Sequence, residues 1–405
     1  MSFKIKDFPI LKRKINGHRL VYLDSANTSL TPVPVVQAMD EYFLQYKSNI
    51  HRALYPTSEQ ATQRYEGARD KIQQFVGAKH REEIIFTKNA TESINLVVNT
   101  WGRDHLRKGD MVVLSIAEHH SNIVPWQLLQ KEKGFSIHYL DLDISGSITM
   151  AEYSNILKNE KVKCVAITHQ SNVLGIINPV EKMIEMAHTK GAVVLIDGSQ
   201  AAPHMVLDVA ALNPDFYAFT GHKMMGPTGI GILYGRKKLL EEMPPFLGGG
   251  DMIRSVQTSG STWNDLPHKF EAGTPNIAGV IGLGAAVQYL STIGMREIER
   301  HDQQLLEYAL EKMLAFPRLK VIGPKKTAHR GSLISFTMSG IHPHDMASML
   351  GERGICVRAG NHCAQPLLEY YGLPASLRVS WYWYNTPRDI DAFLQGLREV
   401  QKKFK

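Results

Sequence analysis

In the stretch "AVVLIDGSQ" (192–200), a run of apolar, mostly β-branched residues ends abruptly in an acid and other polar residues. A second run of this kind, "DFYAFTGHK" (215–223), ends in a lysine. Apolar strands of this type, separated by amphipathic helical stretches, are typical of a sheet buried on both faces. The series also includes "EEIIFT" (82–87), "DMVVLSIAEHH" (110–120), "VKCVAITHQSN" (162–172) and "GIGILYG" (229–235). The pattern predicts an α/β fold with a mostly parallel sheet.

Polar residues gather where four of these predicted strands end. They are Glu118 to His120, His169 to Asn172, Asp197 to Gln200, and Thr220 to Lys223. Ligands of open α/β sheets bind beyond the carboxyl ends of the strands. We therefore expect the four clusters to form a single site at one edge of the sheet.

The part of the chain after the predicted sheet has a different character. A loop-rich stretch (246–276) precedes a long helical run (279–316), and the C-terminal part mixes short strands with helices. This pattern indicates a second, smaller α+β domain, with the boundary in the long helix near residues 285–300. The predicted division is a large domain over 18–290 and a small domain formed by 1–17 and 291–405.

Composition limits the class of protein. The chain has 405 residues and a formal net charge of +7, which fits an anionic ligand, an acidic partner or simply a mildly basic surface. No basic stripe alternates with aromatic residues, and no apolar run reaches the roughly 18–20 residues of a membrane span. The start, "MSFKIKDFPILKRK" (1–14), does not resemble a secretory signal. Three cysteines, an odd and sparse set, argue against a disulfide framework. We expect a cytoplasmic protein that binds neither nucleic acid nor membrane.

Lys223 and Asp197 form the most informative pair of residues. Either one alone is compatible with an ordinary role, a solvated surface lysine or a helix-capping aspartate. Both nevertheless lie at predicted strand ends, and Lys223 lies in the glycine-rich segment "FTGHKMMGPTGIG" (219–231). A lysine that forms a Schiff base with pyridoxal phosphate needs a desolvated, fixed position. The cofactor also needs a carboxylate against its pyridine nitrogen.

Four motifs carry a resemblance to a known family. "DGSQ" followed by "FTGHKMMGPTGIG" resembles the lysine region of fold-type I pyridoxal phosphate enzymes. "EHHSNIVPW", "FEAGTPN" and "RAGNHCAQP" are similar to the cysteine desulfurases of the Suf/Csd-like group, which are NifS-like class V aminotransferase relatives. The match runs from "YLDSANTSLTP" (22–32) to "YNTPRDIDAF" (384–393). The resemblance implies the transferase fold of type I and a homodimer with active sites at the interface.

The resemblance also implies which residues hold the cofactor. Lys223 would form the Schiff base, Asp197 would face the pyridine nitrogen, and His119 would stack on the ring. Gln200 and Asn172 would lie at the ring hydroxyl. The phosphate would be bound at a helix N-terminus, by Ala90, Thr91, Thr220, His222 and, from the other subunit, Thr274. Ala90 departs from the family, since relatives usually carry a threonine there.

Substrate-binding residues follow from the same resemblance. Arg378 matches the arginine that binds the substrate α-carboxylate, and Arg358 matches a second active-site arginine. Asn172 would also contact the substrate, and His51 would lie at the site mouth. A bidentate guanidinium is the best protein ligand for a carboxylate. We predict no metal site, because the adjacent residues Glu118, His119 and His120 point in different directions.

Cys363 is the candidate nucleophile. Cys164 and Cys356 lie in apolar strands and are interpreted as buried small hydrophobes. Cys363 lies on a polar loop close to Arg358, where positive charge favours the thiolate, and no second cysteine lies at metal-binding spacing.

The family reaction would convert L-cysteine to L-alanine, with His119 moving the thiol proton and Cys363 keeping the sulfur as a persulfide. A SufE/SufU-type acceptor protein would then take the sulfur for biosynthesis of iron–sulfur clusters or another sulfur-containing cofactor.

Other functions remain open on the sequence alone. A selenocysteine lyase could use the same scaffold, and another fold-type I lyase or aminotransferase could carry Cys363 incidentally. A catalytically inactive sulfur-relay or scaffold protein is a further alternative. Asn27 replaces a small residue that is usual in relatives, and Asn361 lies where many relatives have histidine.

Overall fold

The computed structural model describes residues 5–143 and 145–404. Its strands are β1 (Lys14–Ile15), β2 (His18–Arg19), β3 (Val21–Tyr22), β4 (Ile84–Thr87), β5 (Met111–Ser115), β6 (Ser136–Leu140), β7 (Val162–Thr168), β8 (Val193–Asp197), β9 (Phe216–Thr220), β10 (Gly231–Gly235), β11 (Ile253–Gln257), β12 (Gly260–Trp263), β13 (Leu319–Ile322), β14 (Leu333–Met338), β15 (Ile355–Cys356), β16 (Arg358–Gly360) and β17 (Ser376–Ser380).

The α-helices pack around these strands. They are α1 (Val33–Gln45), α2 (Pro56–Val76), α3 (Ala90–Val97), α4 (Arg103–His105), α5 (Val124–Lys133), α6 (Met150–Ile156), α7 (Val180–His188), α8 (Val209–Leu212), α9 (Lys237–Glu242), α10 (Ile277–Ile293), α11 (Met295–Leu314), α12 (Pro343–Gly351), α13 (Gln365–Tyr370) and α14 (Pro387–Lys403).

The large unit is built on a seven-stranded sheet with the order β4-β10-β9-β8-β7-β5-β6. Strands β6, β5, β7, β8 and β9 are parallel, and β10 is antiparallel to both of its neighbours. The α/β fold with a mostly parallel sheet is therefore confirmed. The sequence did not predict β6, because this edge strand is only partly buried and lacks the continuous apolar run of the central strands.

Burial on both faces explains the apolar composition of the central strands. In β7, Val165 and Ile167 pack into one core, whereas Cys164 and Ala166 pack into the core on the opposite face. Successive strand residues point to opposite faces. Because both faces are covered, neither set of side chains can be polar.

The small unit contains an antiparallel sheet with the order β13-β14-β17-β16 and its own apolar core. Strand β3 pairs in parallel with β15, and Val21 and Leu23 belong to the small unit's core. The N-terminal contribution to this unit thus extends beyond residue 17, to Leu23.

The expectation of one long helix near the domain boundary is wrong. Helices α10 and α11 meet at an angle of 74° around Gly294, whose φ of 93° favours glycine. Helix α10 packs against α1 and α2 of the large unit, whereas Leu305 to Met313 of α11 pack into the small unit. Among the described residues, no single helix has the length and composition of a membrane span, and only this bent pair has them jointly.

A β-hairpin lies within the stretch that the sequence indicated as loop. Strands β11 and β12 pair with each other, and nearly all of their side chains are exposed. The hairpin has no buried face, so its sequence lacks the apolar alternation that predicts a strand.

Candidate active site

A pocket lies beyond the carboxyl ends of the parallel strands, where the sheet of the large unit meets β16 and β17 of the small unit. Twelve of the predicted site residues line it: Ala90, Thr91, His119, Asn172, Asp197, Gln200, Thr220, His222, Lys223, Arg358, Cys363 and Arg378. The four strand-end clusters of the sequence thus contribute to one site.

Lys223 lies in a tight turn directly after β9. The carbonyl of His222 accepts the backbone N–H of Ser29 at 2.9 Å and the hydroxyls of Thr28 and Ser29 at 3.1 Å. Burial lowers the pKa of Lys223 to about 8, assisted by the positive charges of the site arginines and opposed by Asp197. A desolvated amine in a fixed turn is available as a nucleophile or as a base near neutral pH.

Asp197 ends β8 on the same edge of the sheet. Its Oδ1 accepts the backbone N–H of Ser199 at 2.9 Å. The following residue, Gly198, passes directly over the ring of Tyr217, and a Cβ atom there would lie 2.0 Å from that ring. Glycine is therefore required for the turn that presents the Asp197 carboxylate. Nearby, Gln200 donates from Nε2 to the carbonyl of Ala26 at 2.7 Å.

His119 is held as a neutral ring. The backbone N–H of Ser121 donates to its Nδ1 at 3.1 Å, and the Ser121 hydroxyl lies 2.9 Å from the same atom. Burial, assisted by the charge of Lys223, lowers the pKa of His119 to about 4. Because Nδ1 accepts a backbone N–H, the single proton of the neutral ring must lie on Nε2.

The N-terminus of α3 lies at one end of the pocket. Asn89 caps the helix by accepting the backbone N–H of Glu92 at 2.9 Å, and Glu92 in turn accepts the N–H of Lys88. Asn89 was not among the site residues predicted from the sequence. The signal was present, since Asn followed three residues later by Glu resembles a capping box. Ser121, which also lines the pocket, was missed as well.

Arg358 and Arg378 form the opposite side of the pocket, directly across from each other on β16 and β17. Arg378 is 2% exposed; it donates from Nη1 to the carbonyl of Asn172 at 2.8 Å and lies 3.5 Å from Asp24. Burial lowers the pKa of Arg378 to about 10. A buried guanidinium with spare N–H groups is suited to a carboxylate ligand.

Cys363 lies on a short loop with a left-handed backbone. Its φ of 56° follows a φ of 54° at His362, and this conformation is uncommon outside glycine. The N–H of Cys363 donates to Asn361 Oδ1 at 3.0 Å, and its carbonyl accepts the N–H of His120 at 2.7 Å. The carbonyl of His362 accepts Nδ2 of Asn172 at 2.7 Å. The loop is therefore tied to the large unit on both sides of the thiol.

Two predicted residues do not line this pocket within one chain. Thr274 lines a separate cavity together with Glu92. His51 lies 3.0 Å from Glu66 and stacks edge-on against His268. These three groups are close enough to hold a cation. However, Arg69 and Arg81 already bind the Glu66 carboxylate, at 3.1 and 2.6 Å.

Comparisons with known proteins agree with this geometry. The class-V aminotransferase family model matches residues 21–393. A probable cysteine desulfurase of Streptomyces coelicolor is 51% identical over 404 residues, which cover 98% of this chain and 96% of the relative. The solved cysteine desulfurase of Thermococcus onnurineus has a TM-score of 0.94 at 38% identity and covers 100% of this chain and 99% of its own. The cysteine desulfurase CsdA of Escherichia coli has a TM-score of 0.91 at 38% identity, with coverage of 99% and 98%.

Fold and pocket together define a pyridoxal phosphate enzyme of fold type I. The full-length match with the desulfurases then narrows the class, because it includes both units and every element that lines the pocket. The chain belongs to the class-V aminotransferase family and, within it, to the cysteine desulfurases.

Pyridoxal phosphate fits the residues that are present. The hydroxyl of Thr220 is buried and has no hydrogen-bond partner among the described residues, although it lines the pocket. An orphaned buried donor of this kind is expected where a bound group completes the site. The N-terminus of α3 lines the same pocket, so its unsatisfied N–H groups and the Thr220 hydroxyl suit a phosphate.

Proposed function

We propose that this protein converts L-cysteine to L-alanine and keeps the sulfur on Cys363 as a persulfide. The observation that carries the proposal is the position of Cys363, which lines the same pocket as Lys223 and the arginine pair. A thiol, an amine and a carboxylate-binding group are the three functions that desulfuration of an amino acid requires.

The cofactor would be pyridoxal phosphate, bound covalently to Lys223 and held at its ring nitrogen by Asp197. Gln200 and Asn172 would contact the ring hydroxyl, and His119 would cover the ring face. Its phosphate would be bound at the N-terminus of α3 and by Thr220 and His222. When bound, this group supplies an electron sink for the carbanion formed at the substrate Cα.

The acid–base chemistry falls to Lys223 and His119. Lys223 Nζ, with a pKa lowered to about 8, is the base that removes the Cα proton of the substrate. His119 is neutral near pH 7 and carries its proton on Nε2, so it exchanges protons with the substrate through that nitrogen. Ser121 fixes the orientation of the ring from the other side.

Sulfur transfer balances as an exchange between two thiols. The Cys363 thiolate attacks the substrate sulfur, an S–S bond forms, and the substrate C–S bond breaks. The electron pair of the C–S bond remains on the substrate Cβ, which takes up a proton. The net change is that cysteine and the Cys363 thiol become alanine and a Cys363 persulfide, with no external oxidant.

The assembly and the sulfur acceptor also belong to this proposal. Thr274 and His51 lie outside the pocket of their own chain, which supports a homodimer in which they serve the second copy's site. Cys363 is partly exposed, which supports passage of the persulfide to an acceptor protein of the SufE/SufU type. The acceptor would use the sulfur for iron–sulfur clusters or another sulfur-containing cofactor, and the sparse cysteines support a cytoplasmic location.

A persulfide-trapping assay tests the proposal. The protein is incubated with L-cysteine, alanine is quantified, and the mass of the Cys363-containing peptide is measured after alkylation. We expect one alanine per sulfur transferred and an added sulfur atom on Cys363. Pyruvate or a keto acid as the main product, or sulfur found on Cys356 instead, contradicts the proposal.

A further inference from the structure

Two arginines face each other across neighbouring strands of the small unit. The register pairs Arg358 directly with Arg378. Side chains in that relation have Cβ atoms about 4.5–5.5 Å apart, and like charges placed there destabilise a sheet. Burial makes this repulsion stronger, because Arg378 is almost fully enclosed. Some group must therefore hold the two guanidinium groups in place.

Asn27 contacts the first of these arginines, Arg358, and also contacts Asp24. Its Oδ1 accepts an N–H from Nη1 of Arg358, and its Nδ2 donates to Asp24 Oδ2 at 3.1 Å. The side chain lines the pocket at the end of a short turn, in which the Asn27 N–H donates to the carbonyl of Asp24 at 3.1 Å. The turn fixes the amide, so its two polar ends face two different partners.

Asp24 completes the connection to the second arginine. Its other carboxylate oxygen lies 3.5 Å from Nη2 of Arg378, and its side chain is 16% exposed. One amide and one carboxylate thus join both guanidinium groups. Two positive charges and one negative charge leave a single net positive charge, which matches the single charge of an α-carboxylate.

We propose that Asn27 is a positioning residue that orients Arg358 through Oδ1 and Asp24 through Nδ2, so that the arginine pair is arranged for the substrate carboxylate. The inference rests on the proposed function for the identity of that substrate. A neutral amide is needed at this position because it accepts from Arg358 without cancelling its charge. A side chain without polar atoms cannot form either contact.

Two substitutions separate this role from simple packing. Asn27→Asp keeps the size of the side chain but neutralises Arg358 and adds a second carboxylate beside Asp24. Asn27→Ala removes both contacts without adding charge. We expect KM for L-cysteine to rise about tenfold in Asn27→Ala and further in Asn27→Asp, with kcat changed less than about threefold. If Asn27 only fills space, Asn27→Asp stays close to wild type while Asn27→Ala is worse, and that order overturns the proposal.

Ligand binding gives a readout independent of turnover. The holoenzyme is titrated with L-alanine and with L-alaninamide, which lacks the carboxylate, and binding is followed by the change in visible absorbance. Both Asn27 variants should bind L-alanine more weakly than wild type but L-alaninamide with unchanged affinity. Equal loss for both ligands contradicts a role at the carboxylate. The control is Asn155→Asp, the same change at an exposed helical position, which should match wild type.

The same experiments distinguish two different failures. If wild type forms no alanine from cysteine but Asn27 variants still lose carboxylate-dependent binding, the proposed function fails and the role of Asn27 is supported. If wild type turns over cysteine and the variants bind L-alanine normally, only the role of Asn27 is contradicted. Circular dichroism and the melting temperature of each variant verify that the fold is intact.

Discussion

Two walls of the pocket differ in which of their groups are hydrogen-bonded. The sheet wall consists of the strand ends and the N-terminus of α3, and includes Thr220 and Lys223. The loop wall is the short loop that carries Cys363. On the sheet wall, the buried Thr220 hydroxyl has no hydrogen-bond partner within the described parts of the chain, although the turn that carries Lys223 is firmly held. On the loop wall, the N–H and carbonyl of Cys363 are both hydrogen-bonded, and the thiol itself is left exposed to the pocket. The Thr220 hydroxyl is thus left available for a bound group, whereas hydrogen bonds fix the backbone that carries the Cys363 thiol.

The largest effect is expected on the sheet wall. Lys223→Ala should reduce alanine formation to background, because the covalent attachment of the cofactor and the base are both removed. After incubation with the cofactor, the variant should lose its yellow colour when free cofactor is removed by gel filtration. A visible spectrum and an alanine assay measure this. Lys269→Met is the matched control: this lysine donates to the carbonyls of Leu240, Glu241 and Met243, so the variant should lose about 2–4 kcal/mol of stability yet keep its colour. Retained turnover in Lys223→Ala would refute the assignment.

On the loop wall, Cys363→Ala should reduce turnover of L-cysteine by more than about a hundredfold while the colour remains, because only the sulfur acceptor is lost. Cys356→Ala, in the neighbouring strand, should keep near-normal turnover. Assaying L-selenocysteine with the same variant tests the rival activity. If Cys363→Ala turns over selenocysteine at the full rate but no longer turns over cysteine, the protein is a selenocysteine lyase that does not need Cys363.

Asn361→Ala tests the backbone of the loop that carries Cys363, and we expect a smaller effect than for Cys363→Ala. The substitution removes the acceptor of the Cys363 N–H, so the left-handed loop loses one of its anchors. We expect kcat to fall about tenfold with KM and colour nearly unchanged, since the sheet wall is untouched. Asn361→Asp, which keeps an acceptor at this position, should recover most of the rate. If Asn361→Ala has normal kcat, the loop does not depend on this anchor.

Histidines on both walls make the cofactor-free protein sensitive to acid. Burial lowers the pKa of His362 to about 3 and of His222 to about 4, below the value of about 6.5 in an unfolded chain. The unfolded state therefore binds more protons, and stability falls as pH drops from about 6.5 towards these values. Each histidine contributes at most about 1.4 kcal/mol per pH unit. Urea unfolding at several pH values should show a smaller pH slope in His362→Gln, and an unchanged slope would contradict the prediction.

The smallest effect concerns the phosphate end of the sheet wall. Ala90→Thr adds a hydroxyl beside the N-terminus of α3, and it should tighten cofactor binding about two- to fivefold with little change in turnover. Equilibrium dialysis of the cofactor measures this. Weaker binding would show that the wall has no room for the added group.

Local patterns predicted the sheet wall well. Apolar runs ending in polar residues located Asp197, Lys223 and the other strand-end residues, because a strand and its following turn are set by neighbouring residues. The break at Gly294 was not predicted, since it depends on α10 and α11 packing against different units. The contact of Asn27 with Arg358 was not predictable either, because 331 residues separate the two.

The N-terminal turn at Asp24 to Asn27 lies against the arginine pair of the pocket. This arrangement determines when that side of the pocket can form during synthesis of the chain. The N–H of Ala26 donates to the Ser380 hydroxyl, and Asp24 pairs with Arg378, each across 354 residues of sequence. A ribosome finishes the large sheet long before the strand that these residues need has been made. The carboxylate-binding side of the pocket is thus among the last parts of the molecule to form. A partly synthesised chain could fold its sheet and still be unable to hold a substrate.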